Sequence, residues 1–220
     1  MQSHSLRALY FLLFLAVLSS SSTSGAAIVG GAVTGGSALT QGANFVELSV
    51  PFLPPNGAAN SVGDDTFQTP DLYAFNEDQN ILISAPLSVD VGTGPMAGDI
   101  VASHYVFFDP DLTTDVIGYV DFDADIYGVA TSTTLLAASD FLANTGVNYL
   151  NPGLRGLEFG DSVMIDPLDP RRLLIDFTAH TPGDYVRVLT SESIVPEPST
   201  ALLLGLGLAA LGARDRPGRR

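Results

Sequence analysis

The sequence contains no cysteine and no lysine. Without cysteine there are no disulfides, zinc–thiolate sites, iron–sulfur clusters or thiol nucleophiles. The fold must be held by its core, and an oxidising compartment remains open to it, because such compartments permit disulfides without requiring them. Positive charge is scarce. The nine basic residues are all arginine, against 24 acidic residues, for a net charge of −15. Four of the arginines (Arg214, Arg216, Arg219 and Arg220) crowd the last seven positions, so the body is more acidic still. A surface of that sign repels nucleic acid and anionic headgroups and attracts divalent cations. Apolar runs of the roughly 20 residues that a spanning helix needs are also missing. Core material is not: 46% of the residues are hydrophobic and 15% charged, which excludes wholesale disorder. A length of 220 residues fits one domain with appendages.

The two ends read as addresses. His4 and Arg7 form a weakly basic start, Leu9–Leu18 an apolar segment, and SSSSTSGAA a run of small residues ending at Ala26. This three-part pattern predicts a signal peptide over residues 1–26, cut by signal peptidase. Its ten apolar residues would reach only about 15 Å as a helix, half of a bilayer core. At the other end, Ala201–Ala213 is apolar but interrupted by Gly205, Gly207 and Gly212. It spans roughly 20 Å as a helix, again short, and the arginines behind it would stay cytoplasmic. A short apolar helix with a basic end is better suited to transient insertion in the inner membrane and removal than to permanent anchoring.

Pro196-Glu197-Pro198, the following Ser199-Thr200, the apolar stretch and the arginine cluster together resemble the PEP-CTERM sorting signal of diderm bacteria, over residues 193–220. The resemblance implies recognition of the Pro-Glu-Pro motif by an exosortase-type membrane protease, removal of the tail, and delivery to the cell surface or extracellular matrix. A more local resemblance covers SHYVFFDP (Ser103–Pro110), SDFLANTGVNYLNPGLRGLE (Ser139–Glu158) and PGDYVRVLT (Pro182–Thr190), which are similar to stretches of exported PEP-CTERM proteins of no assigned activity.

Between the ends, residues 27–42 are rich in Gly, Ser, Ala and Thr and read as a flexible lead-in segment or a weak first strand. From Ala43 to Glu192 the main signal is alternation with period two. Val46, Leu48 and Val50 form one apolar face. Ile81–Val89 repeats the pattern, with Pro86 marking an edge strand. Ile100–Phe108 is apolar on both faces and predicts a central strand. Val116–Ile126 is predicted as one strand with Asp121, Asp123 and Asp125 together on its outer face. Leu135–Asn144 predicts a short helix, and Leu157–Ile165 another strand. Leu173–Ala179, the turn Thr181-Pro182-Gly183-Asp184 and Tyr185–Leu189 read as a hairpin. Short strands, Gly/Pro/Asn/Asp turns and at most one helix define an all-β chain. The expected architecture is a single antiparallel β-sandwich of jelly-roll or immunoglobulin-like type, flanked by the signal peptide and the short C-terminal helix.

The sharpest chemical pattern is Asp121-Phe122-Asp123-Ala124-Asp125. Carboxylates at every second position of a strand would share one side, and three close negative charges are relieved by a hard cation such as calcium. The pattern is not an EF-hand, since the sixth and twelfth positions are Ile126 and Ser132. A solvated strand face that discourages edge pairing accounts for it equally. Asp109, Asp111 and Asp115 are candidate further ligands, and Asp64-Asp65 is a second acidic cluster. His104 and His180 lie on different predicted segments and leave a shared metal site open. Seven aromatics (Tyr73, Phe75, Tyr105, Tyr119, Tyr127, Tyr149, Tyr185) would stack on sugars if exposed in a row, or pack in the core. No nucleophile elbow, zincin helix or phosphate loop occurs.

These features predict a non-enzymatic exported protein, with an acidic sandwich binding exopolysaccharide or calcium and no nucleic acid. An extracellular hydrolase on a sandwich scaffold and a permanently anchored single-pass envelope protein are the rival expectations.

Overall fold

Alternating strands become two sheets packed face to face; the computed structural model describes residues 26–192. The sorting motif, the expected apolar C-terminal helix, the arginine tail and all of the expected signal peptide except Ala26 lie outside the described residues. Ala26 itself is buried with Ala102 and Ala124, so it packs as part of the body.

The described residues form thirteen strands, numbered here in chain order. The smaller sheet runs β1 (Ile28–Gly35), β8 (Thr114–Phe122), β12 (Arg172–Ala179) and β11 (Ser162–Ile165), all antiparallel. The larger runs β2 (Phe45–Leu48), β4 (Leu72–Asn76), β7 (Ile100–Phe108), β13 (Asp184–Ser191), β9 (Ile126–Ala130) and β6 (Val91–Gly92), with β5 (Ile81–Leu82) also on β7. Its one parallel pair is β2 with β4. A short parallel pair, β3 (Ser61–Val62) with β10 (Asn148–Tyr149), stands apart. The chain is an all-β sandwich, as its alternation predicts.

Leu173, Ile175, Phe177 and Ala179 point inward as read, and meet Val106, Phe108, Val186 and Val188 of the other sheet in the main core. Each large apolar side chain fully buried there contributes about 1.5–3 kcal/mol. From Val101 to Phe108, β7 is buried on both faces, confirming the central strand. Its outer face carries a second core of aromatic rings: Phe52, Phe67, Tyr73, Phe75, Tyr105, Phe107 and Tyr185. Tyr73, Tyr105 and Tyr185 are thus core residues, not an exposed row for sugars. A helix, α2 (Thr133–Ala138), and the loop of residues 50–68 close this face, adding Leu136, Phe52 and Phe67 to the cluster.

Several expectations are corrected. Of the two readings of residues 27–42, the first strand holds and the flexible segment does not: they form β1 and a five-residue helix, α1 (Gly36–Thr40). Only Ile81–Leu82 of the predicted Ile81–Val89 strand pairs. Beyond it Leu87 N–H donates to the carbonyl of Pro95 at 3.0 Å, folding the loop on itself. At Gly94, where φ is +69°, a Cβ would lie 2.3 Å from Leu87 O, so the close approach requires glycine. The predicted hairpin is absent: β12 pairs with β8 and β11, whereas β13 pairs with β7 and β9 in the opposite sheet. The predicted strand Val116–Ile126 ends at Phe122 and resumes as β9 from Ile126. Finally, α2 stops at Ala138 and is followed by a single 3₁₀ turn, Asp140–Leu142. Ser139 Oγ donates back to the carbonyls of Leu135 and Leu136 (2.8 and 3.1 Å), competing with helix continuation.

Candidate functional site

The three strand aspartates are not gathered around a common point. Asp121 forms a two-pronged ion pair with Arg172, at 2.7 Å from Nε and 2.9 Å from Nη2. The same guanidinium lies 4.0 Å above the Tyr119 ring. Asp123, at the corner after β8, accepts the backbone N–H of Ala27 at 2.8 Å. Asp125 is exposed, and its carbonyl accepts from Ser191 N–H. Asp121 and Asp123 do share a surface pocket with Asp169, but Arg171 lines it as well and supplies positive charge. Among the described residues no group of three or more His, Asp or Glu side chains is placed to hold a metal ion. The outer-face pattern therefore resolves into two separately partnered carboxylates, Asp121 and Asp123, and an exposed one, Asp125. Asp115, a suggested extra ligand, instead accepts from the hydroxyl and N–H of Ser37, which hold its carboxyl below the usual range.

The two histidines are also kept apart. His104 is wholly buried on β7, and burial pushes its pKa down to about 3. Its Nδ1 donates to Asn76 Oδ1 (2.7 Å), an oxygen that also accepts Ile28 N–H, and its Nε2 accepts from Thr190 Oγ1 (3.0 Å). Both ring nitrogens are engaged, so His104 is a neutral structural residue. His180 is exposed beyond β12.

The densest polar cluster lies on the aromatic face of the large sheet, around an arginine the sequence reading did not single out. Arg187 on β13 is 0% exposed. Its Nε and Nη2 donate to Glu77 Oε2 and Oε1 at 2.6 and 2.9 Å. Nη1 reaches the Leu136 carbonyl (2.9 Å), Ser139 Oγ (2.8 Å) and Asp140 Oδ1 (3.1 Å). Glu77, immediately after β4, further accepts from Ser103 Oγ at 2.6 Å and from Tyr149 Oη at 2.5 Å. Asp140 is shared with Arg155, whose own carbonyl accepts from Thr133 Oγ1. Burial alone would lower the Arg187 pKa; the Glu77 carboxylate outweighs it and holds the guanidinium charged. Burial, then Glu77, pushes the Tyr149 phenol far up, so it stays a donor. The signal for this cluster was present in the sequence: in DYVRVLT an arginine sits on the parity of Tyr185 and Leu189, inside a strand apolar on both faces.

The cluster is not sealed. On its outer side Asp140, Asn144, Thr145, Tyr149, Pro152 and Arg155 line a groove of about 340 Å³. Tyr149 Oη also accepts the N–H of Asn144 at 3.2 Å, and Asn144 Oδ1 accepts that of Gly146 at 2.8 Å. The polar rim is thereby fixed by bonds behind it, the arrangement expected of a binding surface that pays little ordering entropy.

Comparison with known proteins places one segment. Residues 195–220 match the model of the PEP-CTERM protein-sorting motif, which contains Pro196, Glu197, Pro198 and the terminal arginines. Neither a curated protein nor a solved structure matches the chain. The chain carries a PEP-CTERM sorting signal: it is exported and handled by an exosortase-type system that directs it to the cell surface or the extracellular space.

Proposed function

We propose that this exported chain is a non-catalytic surface or matrix protein whose sandwich binds a neutral extracellular polysaccharide in the groove beside Tyr149. The groove itself carries the reading. At about 340 Å³ it falls in the range of small-ligand sites. Its rim offers an amide, hydroxyls, a carboxylate and a guanidinium beside the edge of one tyrosine and one proline. Sugars are held by that mixture of directional hydrogen bonds and apolar ring faces. The acidic body favours a neutral chain over a polyanionic one.

The same geometry supports a binding role over hydrolysis. A glycosidase needs one carboxyl free to give a proton and another free to attack or activate water. Glu77 receives four hydrogen bonds, two of them from a buried guanidinium, and Asp140 is held between two arginines. Carboxylates so committed are structural ions rather than poised acids or bases.

The test is affinity electrophoresis of the full-length protein through gels containing the producing cell's own neutral polysaccharide. Thr145→Arg fills the groove mouth without touching the Glu77–Arg187 pair. Retardation of the wild type, lost in Thr145→Arg with the melting temperature unchanged, is the expected outcome. Equal mobility with and without polysaccharide, or retardation unaffected by Thr145→Arg, overturns the reading.

A further inference from the structure

We infer that a calcium ion binds between the loop of residues 63–68 and the end of β7, coordinated by Asp65, Thr66 and Asp109. Asp109 follows β7 directly and is 0% exposed. One carboxylate oxygen, Oδ2, accepts Phe67 N–H at 3.0 Å, which places the carboxyl beneath the loop. The other, Oδ1, is buried and has no hydrogen-bond partner. Two more oxygens of the same loop share that condition: Asp65 Oδ1 and the hydroxyl of Thr66, a residue only 2% exposed. Among the described residues no arginine pairs with either carboxylate, and all four arginines there are paired elsewhere.

Three buried oxygens left unpaired, two on one loop and one at the strand end beneath it, are costly, and two of them carry charge. A water molecule would donate to two of the three but leave both carboxylates negative. A divalent cation answers both needs at once, and oxygen-only ligands of this kind select a hard ion such as calcium. The loop is held in place without the ion. Phe67 is locked among the aromatic rings, Asn56 N–H donates to Thr66 O at 2.9 Å, and Thr69 N–H to Asp109 O at 3.0 Å. Two carboxylates and a hydroxyl leave the remaining coordination positions to carbonyls and water. That composition belongs with the weak extracellular calcium modules, whose dissociation constants are about 10⁻⁴–10⁻³ M.

The site differs from the one expected at Asp121, Asp123 and Asp125, and the experiment separates the two. Thermal melting of the full-length protein at pH 7.5 would be followed with calcium chloride against sodium chloride at matched ionic strength. Equilibrium dialysis with radioactive calcium would count bound ions. At about ten times the dissociation constant, binding to the folded state alone raises the melting temperature by about 3–6 °C. The rise is expected in the wild type and in Asp123→Asn. It is expected to vanish in Asp65→Asn and to shrink in Thr66→Val, with about one ion fewer bound by Asp65→Asn. Asp65 is only part-buried, so its substitution leaves a folded protein to measure. No rise at pH 7.5, a rise undiminished in Asp65→Asn, or a rise abolished by Asp123→Asn overturns the proposal.

Discussion

Replacing Glu77 by glutamine removes one charge and almost no volume, which makes it the cleanest test of how the aromatic face is held. In the native chain Glu77 and Arg187 are both 0% exposed in their side chains, and the guanidinium meets the carboxylate through two bonds of 2.6 and 2.9 Å. After Glu77→Gln the guanidinium is left charged in the interior. Its only remaining anion is Asp140, whose side chain is 42% exposed. Breaking one side of a buried pair costs about 3–5 kcal/mol, because the surviving charge keeps its desolvation penalty. For a domain of this size that corresponds to a fall in melting temperature of about 6–20 °C. Urea unfolding at pH 7 reads the free energy directly. The loss is expected to persist in about 1 M sodium chloride, since a pair shielded from water is screened little. Replacing both partners, Glu77→Leu with Arg187→Met, is expected to recover part of the loss. Recovery stays incomplete because Ser139, Asp140 and Tyr149 lose partners too. A loss under about 1 kcal/mol for Glu77→Gln, or one that disappears in high salt, would refute the reasoning by showing that the pair is solvated.

Asp121→Asn supplies the contrast: the Asp121–Arg172 side chains are 26% and 33% exposed, so the expected cost is about 0.5–1 kcal/mol and falls with salt. Gly118→Ala places a Cβ 2.5 Å from the carbonyl of Ala32, where β1 pairs with β8, and is expected to cost about 1–3 kcal/mol in urea unfolding through displaced backbone. Stability is expected to fall between pH 6.5 and 8, measured by urea unfolding in chelator. Burial, then Asp161 and Glu158, raises Asp184 from 3.8 to about 8, so the folded state holds a proton that the unfolded chain has released, and that contribution is lost as pH rises through about 8. His104, lowered from 6.5 to about 3, acts oppositely and only below 6.5, which flattens the profile at lower pH. A flat or rising profile from pH 6.5 to 8, or one unchanged by Asp184→Asn, would contradict this.

Alternation told which residues face the core but not which strands become neighbours. Leu173–Ala179 and β7 were legible because parity alone fixes their buried faces. The turn at Thr181–Asp184 was legible as a reversal, and there local chemistry stopped. A reversal can lead to the adjacent place in one sheet or across to the other. Here Phe177 and Val186 meet across the core instead of lying side by side. The first strand was obscured for a different reason. Its glycines give no apolar rhythm, yet one of them is required by a partner distant in sequence: at Gly31 a Cβ would lie 2.7 Å from the Phe45 ring. The aspartate row misled because period two was extended past Phe122, where the strand ends and the chain turns a corner.

The charge composition carried more about the site than any motif did, though it needed the fold to be read. A chain so poor in cations commits each one. Arg155, Arg171, Arg172 and Arg187, all the arginines of the described residues, are each in an ion pair. An arginine between Val186 and Val188 in a strand buried on both sides has no route to water, so an acid had to meet it. Which acid was not readable, since Glu77 lies 110 residues away. The converse also follows. Once those four are committed, buried carboxylates elsewhere have no side-chain cation left to take among the described residues, and that is the situation of Asp109 near Asp65 and of Asp184 near Asp161. Such carboxylates are neutralised by a proton or by an ion from outside the chain. Asp184, whose neighbour Asp161 has both oxygens bonded to backbone N–H groups, is raised far enough to keep a proton at neutral pH; Asp109, joined by an orphaned oxygen of Asp65 and a buried hydroxyl, has the ligands for a metal ion.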